Sequence, residues 1–346
     1  MIAYWLMYLV PAFPALLAGQ KGQKSHLLVW MLLGILFTLL IGYRFEIGGD
    51  WFSYLYHFQI AQTGDFIDAI TRSDPGYAYL NWLISKWGYD IYAVNLVCGA
   101  VFMTGLIVFA RSQPYPWVAI AVAFPYLIMV LAMGYSRQGV ALGFIFLALT
   151  NLELRNFWRY LFYIILATLF HKTALIMIPL GLFLFGKGWV MRALAILVAA
   201  YVLWDLFVAK YQEQLWEVYV NEQMVSEGAR IRVWMNLVPS VILLVYWKSW
   251  KESFPNYFFW SWIATGSILA VVFVDLAPTA VDRVALYFIP IQVVVFSRLP
   301  FLARGLIAPR AIRTGIVLGY AAVLYVWLNY ATHAPYWLPY QNILIS

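Results

Sequence analysis

Apolar stretches recur along nearly the whole chain, at 2–18, 26–43, 91–110, 117–134, 138–152, 155–170, 173–186, 190–208, 233–247, 257–274, 284–297 and 314–331. In hydrocarbon every backbone polar group must find an internal partner, so stretches of this kind fold as helices. Some fall short of the roughly 20 residues a straight span needs, and their boundaries are soft by a few residues. The composition agrees: 64% of the residues are hydrophobic and 11% charged, where soluble domains carry about 25% charged residues. Aromatic side chains reach 19%, as expected where many helix ends meet membrane–water interfaces. The start, Met1-Ile2-Ala3-Tyr4-Trp5, lacks the basic region of a cleaved signal peptide, so the first stretch is expected to stay. With Cys98 as the lone cysteine, a disulfide framework and a thiolate metal site are both excluded.

The net charge of +7 is read through the positive-inside rule rather than as a signal for nucleic acid. The stretch 155–186 is either one long helix or two helices meeting at His171-Lys172. A single helix would turn the four-arginine loop 298–313 outward, against the rule. A break there gives twelve crossings, leaves both termini outside, and puts 13 of the 22 basic residues inside. The sequence thus predicts an all-α integral membrane protein, a single polytopic domain over 1–346. Its outer-face segments are 44–90, read as a pair of short amphipathic helices, and 209–232, read as a polar lid. The expected location is a bacterial inner membrane, with the site facing the periplasm or outside.

Ionisable groups in such a domain mark function by default. Arg44, Glu46, Asp50, Arg137, His171, Lys172, Asp275, Asp282 and Arg283 all fall on the predicted outer side. Arg137 follows Ser136 and Arg283 follows Asp282, and each pair reads as an N-cap and the first residue of an inward-running helix. A cation there opposes the helix dipole, unless an anion binds at the same amides. Lys172 repeats the pattern. Singly, each arginine also reads as paired with Asp282 or Asp50, or as reaching lipid headgroups. As a set they point to a polyanion such as a lipid-linked diphosphate, which arginine grips with two parallel bonds. The chemistry would then be displacement at the sugar carbon bearing the diphosphate, with the arginines stabilising the leaving group. A base would take a sugar-hydroxyl proton, and Asp50 and His171 are the candidates. Equally, His171 reads as a satisfied histidine at a helix break and Asp50 as a turn or cap residue. Asp74-Pro75-Gly76-Tyr77 reads as a turn whose aromatic neighbours stack on sugar rings. Nucleotide-binding, zinc-protease and serine-hydrolase motifs are absent.

The segments Arg44-Phe45-Glu46-Ile47-Gly48-Gly49-Asp50-Trp51 with Tyr54, Asp74-Pro75-Gly76-Tyr77, Ser136-Arg137-Gln138, His171-Lys172-Thr173-Ala174, Arg283 with Tyr287-Phe288, and Pro335-Tyr336-Trp337-Leu338-Pro339-Tyr340 resemble the EpsG/Wzy-type exopolysaccharide polymerases. The family often has another residue at the position of Gly49. The resemblance implies a core like that of lipid-dependent GT-C-type glycosyltransferases, joining undecaprenyl-diphosphate-linked repeat units without cofactor or metal. Asp50, His171, Arg137 and Arg283 would be catalytic. Arg44, Lys172, Tyr54, Gln138, Tyr77, Asp282 and Tyr287 would bind diphosphate or glycan. Expected partners are lipid-linked oligosaccharide donor and acceptor, the bilayer, and chain-length-regulator and flippase proteins, with no nucleic acid. A ligase to another acceptor is the near alternative. A flippase would place charges at mid-membrane between related halves, and an O-acyltransferase would use a membrane histidine such as His171.

Overall fold

The computed structural model describes residues 1–17, 26–64, 67, 73–185, 188–190, 193, 194, 197, 198, 201 and 228–345. Most of the expected stretch 190–208, and nearly all of the proposed lid 209–232, lie outside them. Among the described residues the regular structure is helical, with one isolated β-bridge between Arg44 and Asn342. In chain order the helices are α1 (Ile2–Leu17), α2 (Leu27–Gly42), α3 (Trp51–Thr63), α4 (Pro75–Lys86), α5 (Ile91–Ser112) and α6 (Pro116–Ala123). The last continues as a π-helix over Phe124–Ala132. Then come α7 (Ser136–Glu153), α8 (Phe157–Phe170), a 3-10 turn over Lys172–Ile176, α9 (Met177–Phe185), α10 (Ala229–Val245), α11 (Trp247–Ser253) and α12 (Tyr257–Phe273). The chain ends with α13 (Pro278–Ala285), α14 (Pro290–Leu302), α15 (Pro309–Tyr330) and a 3-10 turn over Ala334–Trp337.

Among the described residues three helical segments, Ile91–Ser112, Ala280–Leu302 and Pro309–Tyr330, are long and apolar enough to cross a membrane. The pair α10 and α11 adds a fourth span if its 77° bend is counted within one crossing. The other apolar helices, among them α1, α2, α8 and α12, are shorter. Exposed leucine, isoleucine, phenylalanine and tryptophan side chains cover much of α1, α2, α8, α10 and α12. In water such surface would drive aggregation; against lipid it is the expected exterior. The chain is an all-helical membrane protein. Among the described residues of segment 44–90, α3 and α4 stand where a pair of short helices is expected. The break in 155–186 also falls where charge placed it: α8 ends at Phe170, and His171 stands outside the helices on either side.

The helices group into two units. The first comprises Met1–Leu147, Leu166–Lys172 and Phe296–Ser346. Its outer-segment core packs Trp51, Tyr54 and Phe58 of α3 against Tyr77 and Ile84 of α4, with Ile91, Val94 and Cys98 of α5 and Val140 of α7. The spacing 51, 54, 58 places one face of α3 inward. The tail after α15 folds back into this unit. Trp337 is fully buried and donates its indole N–H to the Met129 carbonyl at 3.0 Å, while the Tyr4 hydroxyl donates to the Trp337 carbonyl at 2.8 Å. The indole lies where a Cβ on Gly134 would be, so the three-residue link between the π-helix and α7 needs a glycine at its centre. The amides of Phe45 and Gly48 donate to the carbonyls of Gln341 and Tyr336, at 3.0 and 2.9 Å.

The second unit comprises Ala148–Ile165 and Thr173–Val295. Here α10 packs on α12 and α13, and buried polar side chains are satisfied across helices. The Asn236 amide donates to the Ala285 carbonyl at 3.1 Å, and Gln292 donates to the Asn236 Oδ1 at 2.7 Å. Interhelical bonds of this kind bring helices together where lipid supplies no hydrophobic drive.

Gly134→Ala should lower the thermal midpoint of the detergent-purified protein, by the roughly 1–3 kcal/mol that overpacking costs, because the Trp337 ring occupies the methyl's place. Gly49→Ala, with open space around the built methyl, should leave the midpoint unchanged.

Candidate functional site

Three aspartates stand at helix N-caps in the first unit, and they behave differently. Asp90 accepts the amides of Tyr92 and Ala93, as an N-cap should. Asp50, before α3, and Asp74, before α4, make no side-chain cap bond. Each forgoes the ~1 kcal/mol a cap contributes. In Asp74 the reason is visible. Arg137 Nη1 donates to its Oδ2 at 3.2 Å, His171 Nδ1 lies 3.9 Å from the same oxygen, and the Lys172 amide donates to Oδ1 at 3.4 Å. Gly76 permits this meeting: a built Cβ would come within 2.9 Å of the Leu169 carbonyl oxygen, so only glycine lets the start of α4 lie against the end of α8.

Asp74 is 11% exposed and Arg137 30%. Burial works to raise the Asp74 carboxyl, but His171, Arg137 and the Lys172 amide outweigh it and hold the pKa below the ordinary carboxylate value. Asp50 is the contrasting case. Its carboxylate is half-buried and takes no hydrogen bond from the described residues. Burial raises its pKa, against a lowering field from Arg137. Two carboxylates near one guanidinium are thus driven apart, a pattern that separates proton carriers from permanent anions.

Arg137 lies on the first turn of α7, its guanidinium 5.9 Å from the centroid of the buried Tyr54 ring. The Tyr54 and Tyr77 rings meet edge to face at 5.6 Å. Gln138 is half-buried beside Arg137, and the Lys172 side chain is exposed. His171 Nε2 is buried without a hydrogen-bond partner among the described residues. A small cavity of about 10 Å³, lined by His57, Ser73, Tyr77 and Asn81, sits behind Tyr77; it has room for one water.

Arg44 is buried within the first unit. It is 1% exposed, and its donors are directed inward: Nη1 to the Ile41 carbonyl at 2.7 Å, and Nη2 to Ser136 Oγ at 2.8 Å and Asn95 Oδ1 at 3.4 Å. The guanidinium also lies 5.7 Å from the Trp51 ring centroid. The hydrogen bonds join the ends of α2, α5 and α7. Ser136 is not a cap: it is the first residue of α7, and its hydroxyl serves Arg44 and Asn95 (3.2 Å).

Arg283, Asp282 and Tyr287 belong to the second unit. Asp282 is not the N-cap expected, because Pro278 opens α13 one turn earlier. Arg283 therefore lies in that helix's last turn, where a cation suits the dipole. Asp282 pairs with Arg232 at 2.6 Å, and Tyr287 shares a 3.0 Å hydrogen bond with Thr173.

The arrangement in the first unit can hold an anion and accept a proton within one outer-segment cluster. The model of the family described as EpsG matches residues 27–342. The chain belongs to the EpsG family. That match covers every residue of the cluster. No curated protein and no solved structure matches the chain. Sequence reasoning about this EpsG protein missed two residues of the site's frame. Asp74 was hidden inside a turn signature, and Asn95 was overlooked although a lone amide in the apolar α5 is itself a signal.

Arg44→Lys should cost about 3–5 kcal/mol, because an ammonium leaves the buried partners Asn95 and Ser136 poorly matched. The measurement is folded, monodisperse protein recovered after extraction. Arg137→Lys, at a partly exposed position, should give wild-type recovery.

Proposed function

We propose that this EpsG protein joins undecaprenyl-diphosphate-linked oligosaccharide repeat units into exopolysaccharide on the outer face of a bacterial inner membrane. Membership of the EpsG family supports an exopolysaccharide repeat-unit polymerase. The observation that carries the chemistry is the cluster in which Arg137, His171 and the Lys172 amide converge beside an uncommitted Asp50 carboxylate. The twelve-crossing arrangement and a core like the lipid-dependent glycosyltransferases belong to the same proposal, as do regulator and flippase partners.

In this reading Arg137 and Lys172 bind the diphosphate of the donor lipid. A hydroxyl oxygen of the acceptor sugar attacks the donor carbon that bears the diphosphate. A new glycosidic C–O bond forms as the C–O bond to phosphate breaks, and undecaprenyl diphosphate departs. The hydroxyl proton passes to the Asp50 carboxylate. Of the two candidate bases Asp50 is favoured, because its oxygens are uncommitted and its raised pKa suits it to accept a proton. Arg137 is worth most as charge builds on the leaving oxygen, since a fixed guanidinium needs no reorganisation at that moment. Tyr54, Tyr77 and Gln138 line the same place. The cations make a metal dispensable for leaving-group stabilisation.

Purified protein given a defined lipid-linked repeat unit, without ATP or added metal, should produce a ladder of glycan lengths on gels. A single transfer to a non-glycan acceptor would indicate a ligase, and translocation without new bonds a flippase. Arg137→Lys and Asp50→Asn should each reduce turnover by about 10²–10³-fold. A base works only when deprotonated, so wild-type rate should fall as pH drops through a pKa above the ordinary aspartate value of about 3.9. A pH–rate profile of the wild type checks the sign.

A further inference from the structure

Asp74 carries more partners than any other carboxylate of the cluster, and it sits where an anion-binding site should least tolerate a negative charge. A carboxylate beside a diphosphate site weakens anion binding through simple Coulomb repulsion. Its presence therefore needs another reason. Arg137 has one: at the N-terminus of α7 the helix dipole pushes its charge outward, and as a partly exposed, many-rotamer side chain it has freedom to leave. Asp74 fixes it on one side at 3.2 Å, and the Tyr54 ring lies 5.9 Å from the guanidinium carbon. Those two contacts define the plane of the fork. Nη1 is committed to Asp74 and the Tyr54 hydroxyl also hydrogen-bonds the guanidinium, which is still 30% exposed and can meet phosphate on its open side. The same carboxylate faces His171 Nδ1 and holds the Lys172 amide, so one anion sets three donors around one point. The carboxyl stays ionised because those donors hold its pKa down.

We infer that Asp74 is a positioning residue of the diphosphate site, acting through Arg137: it orients the guanidinium to bind the lipid diphosphate and makes no bond to substrate itself. The inference rests on the diphosphate reading above and predicts the sign of an effect. If Asp74 contributed only its charge, Asp74→Asn would bind anions more tightly. If it positions Arg137, the same substitution weakens them.

The experiment measures the affinity of purified full-length protein, in detergent, for farnesyl diphosphate as a short polyprenyl diphosphate probe. Asp74→Asn should weaken binding roughly tenfold, in line with what small misplacements of binding groups cost. Asp74→Glu, which keeps the charge and reaches further, should recover most of that loss. The double variant Asp74→Asn with Arg137→Lys should bind no more weakly than Arg137→Lys alone, since residues acting as a unit are not additive. Thermal midpoints near wild type show that the variants are folded. Equal or tighter binding by Asp74→Asn, or additive losses in the double variant, overturns the positioning role. No binding by the wild type overturns the diphosphate reading itself, and the positioning role with it, a result distinct from any difference among variants.

Discussion

A fully buried guanidinium organises the first unit. Placing a cation in a membrane protein's interior costs several kcal/mol unless its donors are matched. Arg44 meets that demand through Nη1 and Nη2, which draw on separate parts of the chain: the last turn of α2 through Ile41, α5 through Asn95, and the first residue of α7 through Ser136. Its buried Nε has no hydrogen-bond partner among the described residues. Its own backbone bridges to Asn342 in the tail. Since Arg137 follows Ser136 directly, anchoring Ser136 also sets where α7 starts and where Arg137 stands. The positions of Asp50 and Trp51 follow from the same knot, because the Gly48 amide just before them is tied to Tyr336. The start of α7, and Arg137 with it, thus hangs on a buried arginine bonded one residue away, at Ser136.

The second layer of control is electrostatic. Asp50 and Asp74 have the same side chain, the same N-cap position and a common neighbour in Arg137, yet their pKa values move in opposite directions. The difference is the partners, not burial: Asp74 accepts from Arg137 and the Lys172 amide with His171 3.9 Å away, while Asp50 accepts no side-chain hydrogen bond among the described residues. A committed carboxylate keeps its charge and its place. An uncommitted one keeps its capacity to take a proton.

Much of this was legible in the sequence, for reasons that can be named. Apolar stretches gave helices at α1, α2, α5, α8 and α15 because lipid permits little else. Loop charge located the break at His171, which hydropathy alone leaves as one continuous stretch. Helix starts within polar motifs were read less well. Ser136 and Asp282 have good capping side chains, but Ser136 is drawn to Arg44, and Pro278 opens a helix before Asp282 is reached. Capping preference is a local tendency of about 1 kcal/mol, and a buried cation or a proline overrides it. Arg44 and Arg137 look alike in sequence, both being outer-side arginines in polar motifs. Burial separates them, and burial depends on tertiary packing that neither motif encodes. Asp74 was obscured by the opposite effect, since Asp-Pro-Gly is so strong a turn signature that a second role left no trace.

The pairing of the 43–48 segment with the tail has a temporal side. The Tyr340 hydroxyl reaches the Leu40 carbonyl across 300 residues of sequence. Closing so long a loop is cheap once the chain is complete, because the entropy grows only logarithmically with length. During synthesis the situation differs: at about 5–20 residues per second, the early segment waits for tens of seconds before its partner exists. Through that interval the amides of Phe45 and Gly48 lack the Gln341 and Tyr336 carbonyls that they bond in the folded chain. The 43–48 segment therefore gains its partners only after residues 336–343 have been made.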